Sequence, residues 1–283
     1  MNLRTEQYRT IISADALRRI LALPETLVLD ARFSLADVEY GERSYGQGHI
    51  VGAQYVHLDR DLSGPKTPTS GRHPLPDVES FVEKMRRLGV GTQTQVVVYD
   101  DAAGMFAARC WWLLKWIGHD RVAVLDGGMQ AWVQEGGETS CEAAGPRVRG
   151  DIAVQLRSEL LVEVAELQQG LAESSMLLCD ARAPERYRGD VEPIDKVAGH
   201  VPGAINRPYA SNLDSNGRFK TPSELAALHR DDGNHRVVQM CGSGVTACHN
   251  VLAAAVAGQP LPALYAGSWS EWIVDPHRPV AVG

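Results

Sequence analysis

The feature that most constrains this chain is that its landmarks occur twice, in the same order. Leu27-Val28-Leu29-Asp30-Ala31-Arg32 returns 150 residues later as Leu177-Leu178-Cys179-Asp180-Ala181-Arg182. Gly48-His49-Ile50-Val51-Gly52-Ala53 returns 151 residues later as Gly199-His200-Val201-Pro202-Gly203-Ala204. Val97-Val98-Tyr99-Asp100-Asp101 matches Val237-Val238-Gln239-Met240-Cys241 at an offset of 140, and that offset then carries Gly104 onto Gly244, Gly127 onto Gly267 and Trp132 onto Trp272. Such self-similarity implies two copies of one domain. The first copy is about 11 residues longer between its second and third landmarks. The stretch from Glu135-Gly136-Gly137-Glu138 to Gly145-Pro146 lacks apolar periodicity and is rich in Gly and small residues, so it reads as the connection. The expected domains are 1–140 and 152–283, with 141–151 as linker.

Within each copy, short apolar runs alternate with helical patterns. Thr26–Asp30, Val96–Asp100, Val122–Leu125, Met176–Cys179 and Val237–Met240 read as buried strands. Ala14–Leu21, Val78–Leu88, Phe106–Trp116, Leu160–Gly170, Ser223–Leu228 and Thr246–Ala257 read as helices. The expected fold class is α/β, each copy a mainly parallel sheet flanked by helices. Thr221-Pro222-Ser223-Glu224 carries a helix-start signature, with a capping Thr, a first-turn Pro and a Glu three residues after the cap.

Composition narrows the function. The net charge of −7 offers no attraction for nucleic acid or an anionic membrane. No apolar run reaches the roughly 18 residues of a membrane span, and the polar start Met1–Tyr8 has no signal-peptide core. A soluble, cytoplasmic protein is expected. The five cysteines, Cys110, Cys141, Cys179, Cys241 and Cys248, are odd in number and include no C-x-x-C pair. Neither a disulfide framework nor a thiolate zinc site is expected. No Rossmann fingerprint or P-loop is present, and no cofactor or metal is implied.

The sharpest local feature is Met240-Cys241-Gly242-Ser243-Gly244-Val245-Thr246-Ala247. An apolar strand ends at Cys241, a Gly-rich loop follows, and a helix of small residues begins. Such a turn directs backbone N–H groups inward at the carboxyl end of a strand, where α/β sheets bind ligands. The helix N-terminus adds roughly half a positive charge. A cysteine held there is a candidate nucleophile in its thiolate form. In the first copy the equivalent position is Asp101, whose carboxylate is expected to satisfy the same donors. One copy therefore reads as catalytic and the other as scaffold.

The repeats, the Asp-Ala-Arg and Gly-His-Val-Pro-Gly-Ala motifs, the Cys241–Ala247 loop and Trp269-Ser270-Glu271-Trp272 together resemble the tandem-domain rhodanese family over nearly the whole chain. The loop resembles the 3-mercaptopyruvate sulfurtransferase branch. Thiosulfate sulfurtransferases tend to carry basic residues just after the cysteine, where this chain has Gly242 and Ser243. The resemblance implies that Cys241 takes sulfur from 3-mercaptopyruvate as a persulfide, releases pyruvate, and passes the sulfur to cyanide, a small thiol or a thioredoxin-like protein. The loop residues Gly242, Gly244, Val245 and Thr246 would surround the donor. Arg186 matches the family's donor-binding arginine, and an arginine can grip a carboxylate with two parallel hydrogen bonds. The branch's second arginine is missing from Glu192-Pro193-Ile194-Asp195-Lys196, and Arg188 or Lys196 is expected to substitute. The branch also implies a serine-protease-like relay of Ser243, His73 and Asp59, with Asp61 as the alternative carboxylate.

Other candidates read as structural. His49 and His200 occur in both copies, including the one without the cysteine, so they are expected to make framework hydrogen bonds. Asp30 and Asp180 are expected to pair with Arg32, Arg182 or backbone, and Thr246 to cap its helix. Two rivals are kept: thiosulfate as donor on the same scaffold, and a non-enzymatic sulfur-carrier or interaction module. A cysteine phosphatase is disfavoured because residues 242–248 contain no Arg or Lys to clamp a phosphate.

Overall fold

A computed structural model describes residues 7–230 and 235–283; the polar start Met1–Glu6 lies outside them. The chain divides into two compact units, 1–62 with 77–156, and 63–76 with 157–283. The expected boundaries differ from this division in two places. Residues 141–156 go with the first unit, held by backbone bonds such as Gln155 N to Ile117 O (2.9 Å). Residues 63–76 lie in the first half of the chain but pack with the second unit. No sequence periodicity marks them, because their attachment runs through side chains distant in sequence.

The first unit is built on five strands in the order Ile11–Ile12, Val122–Leu125, Gln95–Tyr99, Thr26–Asp30, Gln54–Tyr55, every neighbour pair parallel. Its central strands are buried along their whole length, which is why they read as continuous apolar runs rather than alternating ones. The second unit repeats the plan with Ala263–Leu264, Arg236–Met240, Met176–Asp180 and Ile205–Asn206, again all parallel. In each unit the helix after the third-landmark strand is deeply buried. Every residue of Ala107–Trp116 is buried, and so are the first eight of Ala247–Val256. A helix buried on all sides has no solvent face to turn outward, so the loop that feeds it is fixed at both ends.

Most elements fall where the sequence places them. The capping box forms, with Glu224 N donating to Thr221 Oγ1 and Thr221 N donating to Glu224 Oε2 (3.0 Å). The helix expected over Leu160–Gly170 is instead a 3-10 turn, Ser158–Leu160, and a helix, Val164–Ala172. Between them Leu161 is extended and Val162 N donates to Leu264 O (3.0 Å). An edge bridge competes there with helix propagation. The short helices Tyr40–Gln47 and Pro184–Arg188 have no strong apolar period and were not visible in the pattern.

The repeated motifs do the same framework work in both units. Asp30 holds Arg32 (2.6 Å) and Asp180 holds Arg182 (2.7 Å), and each arginine also donates to the carbonyl of the next landmark, Gly48 (2.7 Å) or Gly199 (2.8 Å). His49 and His200 each stack on a tyrosine, Tyr45 or Tyr187, with ring centroids 3.8 Å apart. Each histidine Nδ1 lies 2.8 Å from that tyrosine's carbonyl oxygen.

The second unit also buries a polar chain: His229 Nε2 donates to Asn212 Oδ1 (2.8 Å), and Asn212 Nδ2 donates to Asn250 Oδ1 (2.8 Å). Burial, aided by Arg207, pushes the His229 imidazole down to about 4. Since the unfolded chain would protonate at about 6.5, stability is complete above that pH and is lost as pH falls from there toward 4. Urea unfolding should show a loss of about 2 kcal/mol between about pH 7.5 and pH 5 attributable to this group. His229→Gln, which keeps a donor for Asn212, should flatten that part of the profile; an unchanged profile would contradict the assignment.

Candidate active site

The strand Arg236–Met240 ends beside Asp180, its register partner being Met240. Cys241 follows directly. Its N–H donates to Ser268 Oγ (3.1 Å), its carbonyl accepts from Trp269 N (3.0 Å), and the Gly242 carbonyl accepts from Ser270 N (2.9 Å). Three backbone anchors from one short helix, Ser268–Trp272, thus hold the loop. Gly244 has φ +75°, and a Cβ there would stand 2.2 Å from the Ala266 carbonyl oxygen, so only glycine fits the turn.

The first unit makes the same loop and shows what it is shaped to hold. Gly104, the counterpart of Gly244, also has positive φ (+89°). Four N–H groups there, from Ala102, Gly104, Phe106 and Ala107, donate to one carboxylate at 2.8–2.9 Å. That carboxylate belongs to Asp100 and not, as expected, to Asp101, which receives the Tyr40 hydroxyl instead. Asp100, directly after the strand Gln95–Tyr99, turns its carboxylate back under the loop, whereas Asp101 turns toward Tyr40. In the second unit the position of Asp100 is Met240, which brings no carboxylate. The strand of the second unit thus ends without the carboxylate that fills the turn of the first, and Cys241 follows directly.

Cys241 is 2% exposed, yet its surroundings are not hydrocarbon. At Gly242 the space a Cβ would take is bounded by Arg72 Nη2 (2.8 Å) and by both terminal nitrogens of Arg186 (3.6 Å each). Burial pushes the Arg72 guanidinium below the usual arginine range; Cys241 opposes that, and the neighbouring Arg186 adds to it. Arg186 donates to Glu192 Oε1 (2.7 Å) and Asp195 Oδ2 (3.3 Å). The other oxygen of Asp195 accepts from Arg72. A cavity of about 610 Å³ opens beside this cluster, lined among others by Arg72, Asp195, Lys196 and Ser270.

Ser243 and His73 meet, with Oγ 2.7 Å from Nδ1 and both residues buried. His73 reaches this position because residues 63–76 belong to the second unit: Arg72 N donates to Ser270 Oγ (3.0 Å), and Gly71 lies against the Gly267 carbonyl. Asp59 stands in the short helix Leu58–Asp61 of the first unit, where its N–H donates to His57 Nδ1 (3.1 Å). Asp61 is already engaged in that unit, by His57 N (2.8 Å) and Lys84 Nζ (2.9 Å).

Arg188 is exposed and pairs with Asp190 (2.8 Å). Lys196 lines the adjoining cavity but is also exposed. The second guanidinium facing Gly242 comes from Arg72, to which no sequence motif pointed. The one available signal was its place directly before His73. Thr246 occupies the N-cap position of Ala247–Val256, but its backbone is already helical and its side chain makes no capping hydrogen bond; the N–H groups of Cys248 and His249 donate instead to the carbonyls of Val245 and Thr246 (3.1 Å each). Val245 is buried within the loop. Among the described residues no cluster of His, Cys, Asp and Glu is arranged to hold a metal, and no helix is long and apolar enough to cross a membrane.

Comparison with known proteins gives this geometry a context. The model of the rhodanese-like domain matches residues 13–135 and again 163–275. A Pseudomonas aeruginosa protein named as a probable 3-mercaptopyruvate sulfurtransferase is 49% identical over 284 residues, spanning 96% of this chain and 98% of its own. SseB of Mycobacterium tuberculosis, assigned provisionally as a thiosulfate sulfurtransferase, is 42% identical over 278 residues, 96% of each chain. Among solved structures, SseA from Escherichia coli, described as a 3-mercaptopyruvate sulfotransferase, superposes with a TM-score of 0.80 at 31% identity, covering 93% of this chain and 100% of its own.

The loop geometry makes a direct prediction. Gly244→Ala places a methyl group against a backbone oxygen at a left-handed φ, so it should cost about 1–3 kcal/mol and abolish turnover by moving Cys241. A variant with wild-type thermal midpoint and full activity would contradict the tight fit.

Proposed function

The chain belongs to the rhodanese-like domain family, and we propose that it is a sulfurtransferase that takes sulfur from 3-mercaptopyruvate through a Cys241 persulfide. The observation that carries the donor choice is the 2.7 Å contact between Ser243 and His73, buried next to Cys241. The two possible donors leave differently. Thiosulfate releases sulfite, which needs no proton. Mercaptopyruvate releases the enolate of pyruvate, whose carbon must gain one. A serine–histidine pair beside the nucleophile is the device such a step needs.

In the first half-reaction the Cys241 thiolate attacks the donor's thiol sulfur. The new S–S bond forms as the donor's C–S bond breaks, and the bonding pair stays on carbon, conjugated with the keto group. The donor's thiol proton passes by way of Ser243 and His73 to that carbon, giving pyruvate and a Cys241 persulfide anion. Arg186 and Arg72 hold the donor carboxylate, and the loop N–H groups of Gly242, Gly244 and Thr246 stabilise the charged sulfur. In the second half-reaction an acceptor attacks the outer sulfur and Cys241 leaves as thiolate. Cyanide yields thiocyanate; a small thiol or a thioredoxin-like protein yields its own persulfide. The resemblance implies Asp59 as the carboxylate of the relay, with Asp61 as the alternative. Five cysteines outside any disulfide accord with a reducing, cytoplasmic setting.

The identities of the relatives also keep thiosulfate in view as donor, since SseB bears that assignment. Steady-state rates with cyanide as acceptor separate the two. The expected result is a higher kcat/KM for mercaptopyruvate, and a clear preference for thiosulfate would overturn the donor choice. Ser243→Ala should lower kcat for mercaptopyruvate by roughly 10²-fold while leaving thiosulfate turnover within a few-fold; equal losses on both donors would show that the pair serves only the loop. Cys241→Ser should remove both activities without unfolding the protein.

A further inference from the structure

Resting on that reading, we infer that Asp195 determines which donor the site accepts, by cancelling the positive charge that a dianion would need. The segment Glu192–Lys196 holds Asp195 in a turn, where Asp195 N and Ile194 N both donate to Glu192 Oε1 (3.1 Å each). So held, the Asp195 carboxylate is 5% exposed and bridges the two guanidiniums that face Gly242: Oδ1 accepts from Arg72 and Oδ2 from Arg186 (3.3 Å).

The balance of charge follows. Three arginines, Arg182 buried and Arg186 and Arg72 partly buried, stand near the loop, and each has a carboxylate: Arg182 with Asp180, Arg186 with Glu192, Arg72 with Asp195. The guanidiniums can still donate hydrogen bonds to a bound carboxylate, so orientation of the donor is kept. What the site lacks is surplus positive charge. Lys66 and Lys196 line the adjoining cavity, but both are exposed and screened by water. A monoanionic 2-oxo thiol adds one negative charge to this site and thiosulfate adds two. Specificity of this kind comes from a repulsive element as much as from an attractive one. Asp195 lies at little distance from the cysteine loop, where a single charge is felt strongly.

The experiment is a comparison of kcat/KM for thiosulfate and for 3-mercaptopyruvate, with cyanide as acceptor, in wild type and Asp195→Asn. Neutralising Asp195 should raise the thiosulfate-to-mercaptopyruvate ratio about tenfold, and Asp195→Glu should return it toward wild type. Ile194→Lys adds a positive charge at a cavity-lining residue that is 44% exposed, and it should move the ratio the same way even if Asp195→Asn does not fold. A ratio that stays level or falls in the folded variants overturns the role of Asp195. The wild-type preference tests the proposed donor separately: a wild type that prefers thiosulfate, with the ratio rising further in Asp195→Asn, would sink the donor reading and leave the charge-balance role standing.

Discussion

Everything at the site depends on one piece of backbone: the turn that joins the end of a buried parallel strand to a buried helix and converges several N–H groups on one point. Such groups are costly to leave without an acceptor. The first unit resolves this with its own chain, through the Asp100 carboxylate and its four donors. The second unit puts Met240 at that position and Cys241 at the next. Duplication has thus given two copies of one turn, one filled by a carboxylate and one with a methionine in its place, followed by a thiol. The two copies differ there in two adjacent side chains.

The cations around the thiol come from three separate segments, and that is the second constraint. Arg182 is a framework residue with a twin, Arg32, in the other unit. Arg186 sits one turn later, on Pro184–Arg188. Arg72 arrives with residues 63–76, which also deliver His73 to Ser243. Each guanidinium is held in place by a carboxylate, which fixes its geometry and spends its charge. The loop itself carries no Arg or Lys, yet it is not without guanidiniums, so the absence of a basic residue from the loop sequence is a weak guide to the anion chemistry around it.

Much of this was legible in the sequence. The duplication gave the domain plan because matching landmarks keep their order, and the central strands were plain because strands buried on both faces leave unbroken apolar runs. Pairing of Asp30 with Arg32 and Asp180 with Arg182, the framework role of His49 and His200, and the capping box at Thr221 all followed from local chemistry. Cys241 stood out because a strand end, two glycines and a helix start coincide there. The misses share a cause. The place of Arg72 depends on which chain segment packs where, and no local periodicity encodes that. Asp100 was passed over for Asp101 because equivalence by offset identifies positions, while the direction of a side chain at a strand end depends on the pleat. The break at Leu161 came from a long-range bridge to Leu264 that overrides helix propensity.

The central claim, that one thiol of five receives the sulfur, is tested most directly by incubating the protein with 3-mercaptopyruvate in the absence of acceptor and mapping the added mass by peptide digestion under non-reducing conditions. The account predicts the mass of a single extra sulfur atom, confined to the peptide bearing Cys241 and removed by cyanide. A protein that gains no sulfur, or gains it on the exposed Cys141 with Cys241 unchanged, would contradict it.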